Sequence, residues 1–416
     1  MRCLNKIKSQ VMKKIVAAIL LVFLGFAQNT QAQILDRLIK KAEEKVFRET
    51  EKKVDQSIDK TETEKSKNEN TSEKAVKNNQ DKVAMQTYSK YDFIAGEKVV
   101  FFDDFTETAV GDFPPNWNTT ASGEIVTNNV FTGNWFKMIG EGCVALDEGI
   151  KLPDNYTIEF DVIPYTVNED NVSFEYGFYL YSAQNPKDLN EGGAVPGYNG
   201  GIKMSFGYRA TYSAYNEEGY TISGEKEDAK MEAGKKYRLS FWVQKTRLRV
   251  YQDQVKIFDL PKVFKPGMIC NQMRFELWGE SAPMITNFRI AAGLPDMRSK
   301  LITEGKLVSY GIYFDVNKDV VKPESYGTLK AIADVLKENP TVRIKIVGHT
   351  DADGADKSNL DLSKRRGESV KTELTKIFAI DASRLEFDGM GESKPIAPND
   401  TQANKALNRR VEFIKL

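Results

Sequence analysis

The sequence predicts a multidomain fold: an all-β sandwich followed by an α/β module, preceded by a helical stalk and a disordered linker. Three observations carry this reading. The chain has 416 residues, more than one hydrophobic core usually organises. The apolar period changes along it, from a helical stripe to none, then to alternation by two, then to strands and helices in turn. Glycine and turn signals punctuate the middle third, where aromatic and β-branched residues concentrate. The boundaries predicted are a leader at 1–32, a stalk at 33–60, a linker at 61–97, a sandwich at 98–293, a bridge at 294–306 and the α/β module at 307–416.

The leader reads as a secretory signal peptide. Lys13 and Lys14 precede an apolar run from Ile15 to Phe26, too short to span a bilayer comfortably. Thr30 and Ala32 place small residues before a cut at Gln33. Residues 1–32 hold five basic residues and no acidic ones, so their removal leaves 54 basic against 59 acidic. The stalk follows with Ile34, Leu35, Leu38, Ile39, Ala42, Val46, Val54 and Ile58 on a thin stripe. Pairs such as Glu49 and Lys53 support a solvated helix. Between Thr61 and Lys82 only Ala75 and Val76 are apolar, too few to offset the entropy of ordering.

From about Val99, runs such as Tyr156–Val162, Tyr237–Val243, Arg247–Tyr251 and Met273–Leu277 alternate strictly. That is the pattern of antiparallel strands with one buried face. Phe102-Asp-Asp-Phe105, Gly111-Asp-Phe-Pro114 and Trp117, with the later strand pair, resemble concanavalin-A-like jelly rolls. Some jelly rolls hydrolyse glycans with carboxylates on one strand. Here Glu159 and Asp161 share a face, but Ile163 stands where a further acid is needed. They are expected to be polar residues on a wet sheet face. Asn168-Glu-Asp-Asn171 is an oxygen-rich loop, read as a turn. Trp242 and Trp278 lie opposite the apolar residues of their strands, either as sugar platforms or beneath a covering loop, and the second is expected. A membrane β-barrel also alternates, but most runs here are shorter than the 9–11 residues it needs. Cys143 and Cys270 form either one disulfide or two buried thiols.

In the α/β module, Leu307–Phe314 and Val342–Val347 read as strands. Pro323 opens a helix bearing Leu329, Ile332, Ala333 and Leu336, which Asn339-Pro340 ends. Ser358–Phe378 reads as a second helix, and Arg384–Asp388 and Arg410–Ile414 as further strands. Ile312-Tyr-Phe-Asp315 and Pro323-Glu-Ser-Tyr326 are followed by Ile346-Val-Gly-His-Thr-Asp351, Gly354, Asn359, Leu362-Ser363 and Arg366. Gly389-Met-Gly-Glu392, Pro395-Ile396, Asn399 and Asn408-Arg-Arg-Val-Glu412 complete the series. In this order they resemble the OmpA-like domain. Gly367 departs from the family's alanine, which should weaken the helix by up to ~1 kcal/mol.

The resemblance implies recognition of the diaminopimelate residue of peptidoglycan, at Asp351 and Arg366. A carboxylate accepts the ligand's ammonium, and an Arg fork clamps its carboxylate. Arg366 lies on the apolar side of its helix, so a structural pairing with Asp351 is the other reading. Asn359 and Thr350 are expected to orient the loop, and Arg410 to add to a cationic rim. His349 is the sole histidine, which excludes His-pair metal sites. No cofactor is expected, and the balanced charge (59 basic, 59 acidic) points away from nucleic acid. The expectation is a non-catalytic Gram-negative envelope protein, exported to the periplasm or outer membrane. It would hold peptidoglycan and bind a glycan or an envelope protein through its sandwich. The alternatives are a wall-tethered glycan hydrolase and an outer-membrane barrel with a wall anchor.

Overall fold

Alternation by two requires a partner for each apolar face, and the middle region meets that need with two sheets. The computed structural model describes residues 91–166, 174–190, 200–216, 219–293 and 296–416. The predicted leader, the stalk, linker residues 61–90, the Asn168–Asn171 loop and Pro295 lie outside the described residues.

The chain enters the sandwich through β1 (Lys98–Asp103), β2 (Trp117–Thr119), β3 (Ser122–Val126), β4 (Trp135–Ile139), β5 (Gly142–Leu146) and β6 (Asn155–Ile163). A meander follows, of β7 (Tyr176–Tyr181), β8 (Gly201–Phe206), β9 (Ala210–Asn216) and β10 (Gly219–Lys226). Then come β11 (Tyr237–Gln244), β12 (Arg247–Gln252), β13 (Val255–Leu260), β14 (Gln272–Leu277) and β15 (Met284–Ala292). One sheet runs β13-β12-β11-β6-β15-β4-β3, with β1 also on β15; the other runs β10-β9-β8-β7-β14-β5-β2. These are open sheets packed face to face, so the barrel alternative does not describe these strands.

The core between them is aromatic. The Phe160 ring of the first sheet lies 5.1 Å from Phe178 and 5.2 Å from Phe275 of the second. Ile158, Phe160 and Val162 of β6 point inward, as the alternation predicts. The opposite face corrects the sequence reading. Glu159 and Asp161 are 1% and 3% exposed, so this face is dry. The α/β module covers it on one side. Residues 91–96, assigned to the linker by sequence, cover the other. There Phe93 packs edge-on to Trp242 and Tyr251, at 6.2 and 5.5 Å. Gly96 N–H donates to Thr157 Oγ1 at 3.0 Å. Trp242 is thus covered, whereas Trp278 is exposed.

Cys143 and Cys270 are free, buried thiols, so the disulfide alternative is set aside. Strand register gives the reason. Cys143 on β5 stands opposite Glu276 of β14. Gln272, where β14 begins, is already four positions away, roughly 13 Å along the strand. Cys270 is further still, well beyond disulfide reach. Burial pushes the Cys270 thiol up to about 12, so it stays protonated.

The C-terminal module builds a four-stranded sheet from β16 (Lys306–Ser309), β17 (Ile344–Gly348), β18 (Leu385–Gly389) and β19 (Val411–Lys415), ordered β16-β19-β17-β18. β17 and β18 are parallel, and the other pairs antiparallel. Its helices are α1 (Tyr326–Glu338), α2 (Asp356–Lys376) and the short α3 (Gln402–Asn408), the last not predicted. The expected strand at 307–314 ends at Ser309, and Phe314 makes only an isolated bridge to Val321. Leu329, Ile332, Ala333 and Leu336 of α1 are fully buried, as their spacing predicts. Gly348 and Gly389 are paired across β17 and β18. Their missing side chains let the backbone of Ser363 and Lys364 in α2 lie directly on the sheet. Gly367 extends this flat contact: a Cβ there would stand 2.7 Å from the Asp388 carbonyl oxygen. The helix-weakening residue is the one that permits the approach.

Candidate functional site

The parallel pair β17–β18 leaves a crevice beyond its carboxyl ends, and α2 forms one wall of it. Asp351 sits three residues past β17. Asn359 and Arg366 are on the same helix, seven residues or about 10 Å apart along its axis. Both line one cavity of ≈ 390 Å³, together with Thr350, Asp351 and Arg409.

The loop that carries Asp351 is fixed by the family-motif residues. Asn359 Nδ2 donates to the Asp353 carbonyl at 3.1 Å and to Glu392 Oε2 at 2.5 Å. Thr350 N–H donates to the Gly391 carbonyl at 3.0 Å. Asn408 is fully buried and accepts from Ile396 and Ala397 N–H at 2.9 and 3.2 Å. Its amide also donates to Asn399 Oδ1 at 2.9 Å, which in turn accepts from Ala352 N–H at 3.2 Å. Asn408 and Asn399 are positioning residues, quoted in the motif but given no role by sequence.

Arg366 is not spent on Asp351. Its Nε donates to the Lys318 carbonyl at 3.0 Å and its Nη2 to that of Asp315 at 3.3 Å. The guanidinium lies 4.8 Å over the Phe314 ring. Burial lowers its pKa to about 10; Asp351 opposes that shift and Arg409 adds to it. It remains cationic at neutral pH. Asp351 pairs instead with Arg409, whose Nη1 lies 2.6 Å from Oδ2. The Thr350 hydroxyl, in a residue 5% exposed, has no hydrogen-bond partner among the described residues.

Arg410 lies in the cavity wall, but its fork is engaged elsewhere. Nε and Nη2 both meet Glu412 Oε1 at 2.8 Å, and Nη2 reaches the Lys394 carbonyl at 2.9 Å. Sequence reasoning looked for the rim cation at Arg410; the cation beside Asp351 is Arg409. Alternation carried the signal, because Arg410 and Glu412 flank Val411 and share one face. Burial pushes the Glu412 carboxyl up, yet His349, Lys306 and Arg410 together hold it well below its usual range.

The far wall of the cavity belongs to the sandwich. Phe102, Asp104 and Thr106 line it. The Arg409 guanidinium stacks 5.0 Å from the Phe102 ring, and Gln402 Nε2 donates to Thr106 Oγ1 at 2.5 Å. Asp161, Arg238, Arg289 and Tyr313 line the same cavity, and there the two domains are joined by buried charge. Arg238 Nη2 and Nη1 donate to Glu159 at 2.9 Å and Asp161 at 3.0 Å. Tyr313 of the C-terminal module donates to Glu159 Oε2 at 2.7 Å and accepts from Arg289 Nη1 at 2.8 Å. Burial raises the Asp161 carboxyl, but Arg238 beside it brings the balance below the usual carboxylate range. Among the described residues no group of three or more His, Cys, Asp or Glu is placed to hold a metal ion.

The family model for the OmpA family matches residues 313–409. Outer membrane porin F of Pseudomonas fluorescens is 45% identical over 105 residues, 25% of this chain and 32% of that protein. The probable lipoprotein YiaD of Escherichia coli is 41% identical over 102 residues, 24% of this chain and 46% of that protein. A solved structure of the peptidoglycan-associated lipoprotein from Burkholderia pseudomallei is similar at 30% identity and a TM-score of 0.24, over 25% of this chain and 88% of that one. The chain spans under half the length of these two curated relatives. Residues 313–409 of this chain are an OmpA family domain.

Proposed function

We propose that this protein grips peptidoglycan without covalent chemistry, through the free amino-acid end of diaminopimelate. The observation that carries this is the placing of the Asp351 carboxylate and the Arg366 guanidinium in one cavity, with the Thr350 hydroxyl, between the strand end and the loop, unpartnered among the described residues. The ligand's ammonium meets Asp351 and its carboxylate meets Arg366, which uses the loop carbonyls of Asp315 and Lys318 as its brace. Asn359 holds the loop. The naming of curated relatives as outer membrane proteins and lipoproteins supports an envelope location. The role is non-catalytic. Glu159 and Asp161, the pair a hydrolase would need, are sealed against Arg238 and Arg289. The sandwich resembles a concanavalin-like jelly roll and is assigned to glycan or envelope-protein binding.

The test is co-sedimentation of the full chain with purified diaminopimelate-type sacculi. Wild type should pellet, and folded Asp351→Ala and Arg366→Ala variants should stay in solution. Wild type remaining in the supernatant refutes the wall-anchoring role.

A further inference from the structure

Resting on that reading, we propose that the sandwich completes the ammonium site: Asp104 shares Arg409 with Asp351 and so leaves Asp351 free to take a cation. Three observations meet here. Asp104 lines the same cavity as Asp351, Arg366 and Arg409. Arg409 reaches both carboxylates, with Nη1 2.6 Å from Asp351 and Nη2 4.0 Å from Asp104 Oδ2. The Phe102 ring, two residues before Asp104 in the chain, is the platform that carries the guanidinium, at 5.0 Å.

Charge counting gives the consequence. Asp351 and Arg409 alone would neutralise each other and offer a ligand ammonium little. Asp104 adds a second carboxylate, so the trio carries one net negative charge beside the positive Arg366. The neighbouring Asp353 is matched by Lys405 at 3.1 Å. Elsewhere in the lining Arg238 pairs with Asp161, Arg289 with Glu159, Lys322 with Asp315 and Arg410 with Glu412, so this end of the cavity is set for one zwitterionic end, ammonium toward the trio and carboxylate toward Arg366. Asp104 Oδ1 is occupied by its own turn, accepting from Thr106 N–H at 3.2 Å and from Thr106 Oγ1 at 2.7 Å. That leaves Oδ2 for the guanidinium. When the ammonium arrives at Asp351, Arg409 swings toward Asp104 along the Phe102 face. Asp104 is a positioning residue, and it comes from a domain that the OmpA family match does not include.

The experiment is calorimetric titration of the full chain with a soluble stem tripeptide ending in meso-diaminopimelate. Asp104→Asn keeps the Oδ1 acceptor and removes the charge; it should weaken binding about fivefold, the scale of a partly exposed ion pair. Asp104→Glu should bind within about twofold of wild type. In an Arg409→Gln background, where Asp351 has no competitor, Asp104→Asn should change affinity less than about twofold, because the pair is coupled. Equal losses in both backgrounds, or no loss in either, overturn the proposal. Should Asp104→Asn melt early, the isosteric pair Asp104→Glu and Asp104→Gln carries the same comparison. Full affinity in Asp104→Asn with loss in Asp351→Asn removes this inference and leaves the peptidoglycan reading intact. No binding by wild type removes both.

Discussion

Two clusters of carboxylates and guanidinia lie a short way apart in this protein, and they are built for opposite ends. At the seam, Glu159, Asp161, Arg238 and Arg289 are all under 8% exposed and knitted to Tyr313 and Asn287. In the cavity, Asp351, Arg409 and Asp104 are of the same chemical types but have side chains 11%, 30% and 20% exposed, with Arg366 half-buried beside them. Arg366 leans on backbone carbonyls, and the Thr350 hydroxyl has no partner among the described residues. A buried pair is satisfied by its neighbours and is costly to break. A half-satisfied pair at a cavity edge is what a ligand completes. Residue type does not separate the two; depth of burial does.

The widest gap between the clusters should appear on deleting one cation from each. Arg238→Ala leaves Asp161 buried without its cation and Glu159 with Arg289 alone, and should cost about 3–5 kcal/mol in denaturant unfolding. Arg366→Ala should cost about 1 kcal/mol, the net worth of its carbonyl bonds, while abolishing sedimentation with sacculi. Equal stability losses would mean that the cavity Arg is structural too.

Acid should also separate the regions. The Asp161 and Glu412 carboxyls are held below their unfolded values, so each contributes stability that is present above about pH 4.5 and lost as pH falls further. Melting temperature should therefore drop below pH 4.5. Glu412→Gln should flatten part of that dependence while lowering stability at neutral pH, where Arg410 loses its partner. An unchanged acid limb in Glu412→Gln would show that Glu412 contributes none of it.

The smallest effect is expected at Gly367. Alanine there gains up to ~1 kcal/mol of helix propensity, yet its Cβ would meet the Asp388 carbonyl oxygen at 2.7 Å. The backbone must shift, so Gly367→Ala should be net destabilising by roughly 1 kcal/mol. A stabilised variant would show that α2 rises from the sheet at little cost.

Much of this architecture was legible in the chain, because its signals are local. Alternation marked β6, β11, β12 and β14 within a residue or so, since period two follows from the pleat. The α1 stripe and Pro323 marked their helix. α3 was missed because it spans only seven residues, under two full turns, too short for a stripe to show. The expected linker at 91–97 failed for a different reason. Tyr91, Phe93 and Ala95 alternate, but their partners Trp242 and Tyr251 lie some 150 residues away.

The sequence by itself determined the α/β module, the motif that carries Asp351 and Arg366, and the strands of the sandwich. All of these rest on short-range periodicity and ordered motif spacing. Tertiary structure alone decided which arginine stands beside Asp351, that the thiols stay apart, and that the polar face of β6 is dry. It also decided that Asp104 shares the cavity. Each depends on segments tens to hundreds of residues apart, and only the folded chain sets the distance between them.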